Sequence, residues 1–328
     1  MSMPGREGNV RPVVVCSRRL TDESEHARLE SLFDVQVVGD SRLEDLLPHA
    51  DGAVVILPQQ LTRAMVVSAP RLRAVATVSS GTDHIDSEFL AERGIALITG
   101  EGGAPTPVAE WVVWALLSVR RGLAAIATTM ARGDLSWSGR LGSFRSDLAA
   151  SATVGIMGFG HIGREVHRLL EPLVGGFVVF DPAVVELPVG VQRASNVLDL
   201  CTLSDLVSVH VPLTAATRSL IGRAELEAIG ANGVVVNAAR GGVVDQAALL
   251  DALTTGTLGA AAIDCFEPEP PDPAYVEALV ATGRALVTPH VAGVSRQSLQ
   301  ALCGRAVDGL AAHLLAGDLP DGAQGGLT

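Results

Sequence analysis

A chain of 328 residues with 48% apolar content has room for two domains and a substantial core, and is globular rather than disordered. Its net charge of −12, with no basic cluster, argues against nucleic acid and anionic membrane surfaces as partners. All 24 basic residues are arginine, which excludes Schiff-base and lysine general-base chemistry.

The four cysteines, Cys16, Cys201, Cys265 and Cys303, are scattered without a C-x-x-C pair, so no metal site is expected and they read as buried thiols in a reducing compartment. The first eight residues lack the apolar core of a signal peptide. The longest apolar stretch lies within 108–119, contains Glu110 and is too short to span a membrane. The expectation is a soluble cytoplasmic protein.

Residues 1–100 alternate short β-branched runs with amphipathic segments. Strands are expected at 12–16, 34–38, 53–57, 72–78 and 95–98, with helices at 24–33, 42–47, 63–67 and 86–93. Such alternation implies a parallel sheet covered on both faces. The loop Ser79-Ser80-Gly81-Thr82-Asp83-His84 follows the fourth strand, at the edge where open parallel sheets gather ligands; it reads equally as a Ser/Gly turn. The Gly- and Pro-rich run 99–107 reads as a linker, and a long helix is expected over 108–132. That helix carries Trp111 and Trp114 on one face, a spacing suited to core or subunit packing. Segment 133–148 is polar, with Trp137 and the arginines Arg132, Arg140 and Arg145 in or beside it.

At Thr153 a short apolar run breaks into Gly158-Phe159-Gly160-His161-Ile162-Gly163, a G-x-G-x-x-G pattern, and continues at helical spacing. A second apolar run, 176–180, delivers Asp181 about 20 residues beyond the glycines. Glycine makes up 35 of the 328 residues, so the motif counts only with the strand before it, the helix after it and the acid at the next strand end. Together these specify a dinucleotide site. Gly158 permits the tight turn, Gly160 lets a pyrophosphate approach backbone, and Gly163 lets helix and strand pack closely. Asp181 suits ribose hydroxyls and repels a 2′-phosphate, favouring NAD over NADP.

Further strands are expected at 206–210, 233–237, 260–264 and 285–288, and a last helix over 296–315. Three of these strand ends present titratable or charged residues: Arg240 after Asn237-Ala238-Ala239, Glu269 after Asp264-Cys265-Phe266, and His290 after Thr288-Pro289. A guanidinium can hold a carboxylate and polarise a carbonyl, and a histidine beside a carboxylate can pass a proton at neutral pH. Read singly, they are equally a surface arginine, a capping glutamate and a loop histidine.

At these motifs the chain resembles the NAD-dependent D-2-hydroxyacid dehydrogenases. The matching segments are Ser80 to Asp86, Val108-Ala109-Glu110, Gly158 to Gly163, His210-Val211-Pro212-Leu213-Thr214 with Thr217, Asn237 to Gly241, Asp264 to Pro270 and Pro289 to Gly293. The resemblance implies two doubly wound α/β parallel-sheet domains. A Rossmann dinucleotide-binding domain (106–292) would be inserted into a flavodoxin-like substrate domain built from 1–105 and 293–328, with hinges near Pro105 and Ala292. It implies Arg240, Glu269 and His290 as catalytic residues, with His290 as acid and base. Ser80, Gly81 and Arg240 would bind substrate, and His161, Ile162, Asp181, Pro212, Ala238 and Asp264 would join the three glycines at the cofactor. It also implies a homodimer, with Trp137 reaching toward the partner.

The implied activity is interconversion of a small 2-oxo acid and its D-2-hydroxy acid with NAD(H). A phospho- or phosphono-substituted substrate is the alternative within enzymes, and a non-catalytic NAD-sensing scaffold is the alternative outside them. Segment 56–62 lacks the arginines of phosphoglycerate and phosphoerythronate dehydrogenases, while the Ser80 to His84 loop resembles the phosphoerythronate type. Arg140 or Arg145 could supply an anion site. Ser80 in place of lysine disfavours phosphite dehydrogenase, and Glu269 in place of glutamine disfavours formate dehydrogenase.

Overall fold

The computed structural model describes residues 11–39, 42–79, 81–100, 105–131, 133 and 149–315. It divides into one unit of Met1–Gly103 with Ser295–Thr328 and a second of Ala104–Val294. Ser80, Arg132, Trp137, Arg140 and Arg145 lie outside the described residues.

In the first unit, β1 (Val13–Cys16), β2 (Asp34–Val37), β3 (Gly52–Val54), β4 (Ala74–Ala76) and β5 (Ala96–Ile98) form a parallel sheet in the order β2-β1-β3-β4-β5. That order is the flavodoxin-like doubly wound one, with its switch point at β1 and β3. The strands are short apolar runs because both faces are buried. One face packs Val15, Leu47, Val55, Val75 and Leu90. The other packs Val14, Cys16, Leu29 and Phe33 against Cys303, Val307 and Leu310 of the last helix, Arg296–Leu314. Side-chain caps set several helix starts: Asp22 accepts the Glu25 N–H, Thr62 that of Met65, and Asp86 that of Phe89.

The second unit holds β6 (Thr153–Met157), β7 (Gly176–Phe180), β8 (Gln192–Arg193), β9 (Leu206–Val209), β10 (Val234–Asn237), β11 (Ala260–Ile263) and β12 (Ala285–Val287). All pair in parallel, in the order β12-β11-β10-β9-β6-β7-β8. The chain order reverses between β6 and β9, so the glycine turn after β6 and the loop after β9 meet at the switch point of a Rossmann sheet. Apolar clusters cover both faces, one around Met157, Val207, Val235 and Leu253, the other around Val112, Leu116, Ile156 and Val236.

Two expectations need correction. The single helix expected over 108–132 is two, Pro105–Arg120 and Leu123–Ala131, because Gly122 turns left-handed at φ +63 between them. The first of these begins inside the stretch read as a linker, where Pro105 suits a first helical turn that needs no N–H. Trp111 and Trp114 meet edge to face with ring centroids 6.2 Å apart, and Trp114 remains 49% exposed. No helix among the described residues is long and apolar enough to cross a membrane.

Candidate active site

The cofactor cradle is built by backbone. Gly158 has φ +91, and a Cβ there would lie 2.7 Å from the His210 carbonyl oxygen, so no other residue fits between β6 and the loop after β9. A Cβ on Gly163 would lie 2.2 Å from the Gly158 oxygen, which fixes how closely the helix His161–Leu170 approaches its strand. Nothing stands within 4 Å of a Cβ built on Gly160. Gly160 caps that helix without a side chain, so the first-turn N–H groups at His161 and Ile162 take no side-chain cap from it and stand at the positive end of the helix dipole. This arrangement fits a pyrophosphate.

Asp181 follows β7 and accepts the Phe159 N–H at 2.7 Å and the Ala183 N–H at 2.8 Å. Its carboxylate therefore steadies the glycine turn and keeps further lone pairs for hydroxyl donors. The loop after β9 closes on itself: the Thr217 hydroxyl donates to the Pro212 carbonyl at 2.6 Å and accepts the Thr214 N–H at 2.7 Å. His210 beneath it pairs its Nε2 with the Ser208 hydroxyl at 2.8 Å, and burial pushes the imidazole down to about 3. Burial therefore favours its neutral form. The Asn237 side chain donates to the Arg240 carbonyl at 2.8 Å and accepts the Ala239 N–H at 3.1 Å, fixing the turn that carries Ala238 and Arg240.

Arg240, Glu269 and His290 follow β10, β11 and β12, and the structure brings the last two into contact. His290 Nδ1 lies 2.7 Å from Glu269 Oε2, and Glu269 Oε1 accepts the Phe266 N–H at 2.9 Å. His290 itself sits at φ +54, held there by its own N–H donating to the Asp264 carbonyl at 2.8 Å. The glutamate hydrogen bond raises the His290 pKa above its ordinary value. Burial opposes that rise, the carboxylates of Glu269 and Asp264 add to it, and the Arg240 charge reduces it. Burial pushes Glu269 up, but the His290 hydrogen bond, the Phe266 N–H and the charges of His290 and Arg240 outweigh it and hold the carboxyl below its usual range. His290 Nδ1 is thus committed to glutamate, and Nε2 is the nitrogen left for a reacting group. The Arg240 turn approaches through Gly241, where a Cβ would lie 2.0 Å from the Phe266 carbonyl carbon.

The sequence reading has Asp264 as a cofactor contact and Cys265 as a buried thiol, but not the bonds they make. The Asp264 carboxylate is fully buried and takes the Val291 N–H at 2.9 Å, the Ala292 N–H at 2.8 Å and the Thr288 hydroxyl. It orders the His290 loop. The Cys265 thiol donates to the Ala239 carbonyl at 3.5 Å, and burial pushes its pKa up. Cys265, Glu269 and His290 offer donor atoms within 4.8 Å of one another, a set that could take a metal ion, yet two of them are already joined through a proton.

In the first unit, the Ser79 hydroxyl donates to the Gly81 carbonyl at 2.8 Å and lies 3.0 Å from the Thr77 hydroxyl, itself 3.2 Å from Nε2 of the buried His84. The loop after β4 is therefore braced from beneath by its own side chains.

Comparison with known proteins agrees with this architecture. The family described as D-isomer specific 2-hydroxyacid dehydrogenase, NAD binding domain, matches residues 113–292. A glycerate dehydrogenase of Methylorubrum extorquens is 33% identical, over 75% of this chain and 77% of that protein. A D-3-phosphoglycerate dehydrogenase of Methanocaldococcus jannaschii is 30% identical over 89% of this chain but 56% of its own length, so the chain spans about half of that relative. Among solved structures, the TT0316 protein from Thermus thermophilus superposes with a TM-score of 0.84 at 28% identity, covering 94% of this chain and 98% of that one.

Proposed function

The chain belongs to the D-isomer specific 2-hydroxyacid dehydrogenase family, and from that premise we propose that it interconverts a small 2-oxo acid and its D-2-hydroxy acid, using NAD(H). The observation that carries this reading is the 2.7 Å hydrogen bond between His290 and Glu269 at the edge of the dinucleotide sheet. Bound NADH supplies the hydride. His290, held as imidazolium by Glu269, donates the Nε2 proton to the developing alkoxide at C2, and in the opposite direction neutral Nε2 removes that proton. Glu269 keeps the imidazolium charge compensated throughout, and Arg240 holds the carboxylate and carbonyl oxygens of the substrate.

The first unit is proposed as the substrate domain, with backbone N–H groups at Ser80 and Gly81 for the substrate carboxylate. A three-carbon substrate with a polar C3 group is favoured by the names of the relatives, which act on glycerate and 3-phosphoglycerate. We further propose a cytoplasmic homodimer. The four buried free thiols support a reducing compartment, and light scattering on the purified protein tests the assembly.

The test is NADH oxidation, followed by absorbance, against glyoxylate, pyruvate, hydroxypyruvate, branched and aromatic 2-oxo acids, and phosphorylated or phosphonate analogues. Turnover that His290→Ala abolishes, with NADH binding retained, is the expected result. Preference for a phosphorylated member would select the phospho-substrate alternative. Tight NADH binding with no turnover on any member would favour an NAD-sensing scaffold.

A further inference from the structure

Glu269 sits in a stretch that regular secondary structure cannot hold. Phe266-Glu267-Pro268-Glu269-Pro270 has two residues without an N–H, so neither helix nor strand pairing can hold it. Besides the Glu269 carboxylate's own bond to the Phe266 N–H, Gln246 holds it. The Gln246 side chain donates from Nε2 to the Glu267 carbonyl at 2.7 Å and accepts the Glu267 N–H on Oε1 at 3.0 Å. One side-chain amide thus takes both backbone groups of one residue, a two-point clamp that fixes position and orientation together.

The clamp is itself anchored. Gln246 opens the helix Gln246–Thr255 behind the Asp245 cap, and its carbonyl accepts the Tyr275 hydroxyl at 2.9 Å. The Glu267 carboxylate meets Arg218 at 2.6 Å, and the neighbouring Ser219 N–H donates to the Gly242 carbonyl at 2.8 Å. The loop carrying Pro212, the turn carrying Arg240 and the stretch carrying Glu269 are therefore tied to one another.

We propose that Gln246 is a positioning residue for the Glu269–His290 pair, acting through the Glu267 backbone. The inference rests on His290 being the acid and base of the proposed reaction. Among the described residues, Glu269, Asp264, Arg240 and Cys265 are the charged and titratable groups that act on or lie near His290, and of these Glu269 is the one on the clamped stretch. Loosening the clamp leaves the Glu269 stretch to its Phe266 N–H bond and the Arg218 contact, and does not touch the Asp264 bonds to the His290 loop.

The experiment is an NMR titration of the His290 ring in the full-length protein, its signal identified by loss in His290→Ala. The wild type is compared with Gln246→Ala and Gln246→Glu. In Gln246→Ala the midpoint falls by about 0.5 pH unit or more, toward the ordinary histidine value. Gln246→Glu keeps the acceptor for the Glu267 N–H but loses the donor, so its midpoint falls less; it carries the test should the alanine variant not fold. An unmoved midpoint in a folded variant overturns the inference. The readout is independent of turnover. A moved midpoint without turnover on any substrate leaves the inference standing and removes the proposed reaction, whereas turnover with an unmoved midpoint does the reverse.

Discussion

Asp264 accepts the backbone N–H of Ala292 at 2.8 Å from a position with no solvent exposure, and so ties the end of β11 to the loop that carries His290. The same carboxylate takes the Val291 N–H and the Thr288 hydroxyl. In Asp264→Asn an amide NH2 must face one of those two backbone donors, leaving a buried N–H unpaired. The expected cost is about 1–3 kcal/mol of stability. Urea denaturation measures it, and kcat should fall with it as the His290 loop loosens. A variant as stable as the wild type would mean the loop is held by other contacts.

The His290–Glu269 pair sets a pH dependence with a definite sign. The imidazole pKa lies above its ordinary value, chiefly through the Glu269 hydrogen bond. In the proposed mechanism reduction requires imidazolium, so its rate should be present below the His290 pKa and lost as pH rises through it; oxidation should show the mirror image. Glu269→Gln removes the carboxylate, and the alkaline limb of kcat/KM for reduction should move to lower pH. Loss of charge support for the general acid should cost about 100-fold in rate at neutral pH. A limb that stays in place in Glu269→Gln would show that another group titrates.

The strands were legible in the sequence because parallel strands buried on both faces are uninterrupted apolar runs. Gln192–Arg193 escaped notice because it is a two-residue edge strand with both side chains exposed. The break at Gly122, just after Arg120-Arg121, was hidden because apolar residues resume directly beyond it. Arg240, Glu269 and His290 were visible as polar residues just past strand ends. Their geometry was not: the 2.7 Å contact depends on the relative register of β11 and β12 and on the left-handed φ of His290, neither of which spacing encodes. Asp264 read as a cofactor contact, while the bonds that saturate its carboxylate come from a loop that folds back over it. Gln246 left no signal beyond a polar residue in the first turn of a helix.

Gly241 offers a test of how tightly the Arg240 turn must approach the Glu269 stretch. A Cβ there would lie 2.0 Å from the Phe266 carbonyl carbon and 2.3 Å from its oxygen, both backbone atoms that cannot rotate away. Gly241→Ala must therefore separate the two segments, at a cost of about 1–3 kcal/mol or more. Calorimetry should show a lower Tm. The Gly158–Gly163 turn lies on another strand while Ala238 shares the displaced one, so NADH affinity, read by fluorescence titration, should fall less than kcat. Unchanged kcat would mean that Arg240 tolerates displacement.

Asp181 is the residue proposed to set the choice of cofactor. Its two oxygens take the Phe159 and Ala183 N–H groups at 2.7 and 2.8 Å, which points the carboxylate at the mouth of the glycine turn while still leaving acceptor capacity for ribose hydroxyls. A 2′-phosphate placed there meets a fixed negative charge. In Asp181→Ser the hydroxyl can still accept one backbone N–H, so the turn keeps part of its support while the charge is lost. KM for NADH should rise about tenfold, the loss of a charge-assisted hydrogen bond of about 1.4 kcal/mol. KM for NADPH should fall over the same substitution, because removal of the repulsion outweighs the partial loss of support to the turn. Steady-state reduction with each cofactor at saturating 2-oxo acid gives both numbers. A parallel rise in the two KM values would instead assign Asp181 to support of the Phe159 turn alone, with the choice between cofactors made elsewhere in the cradle.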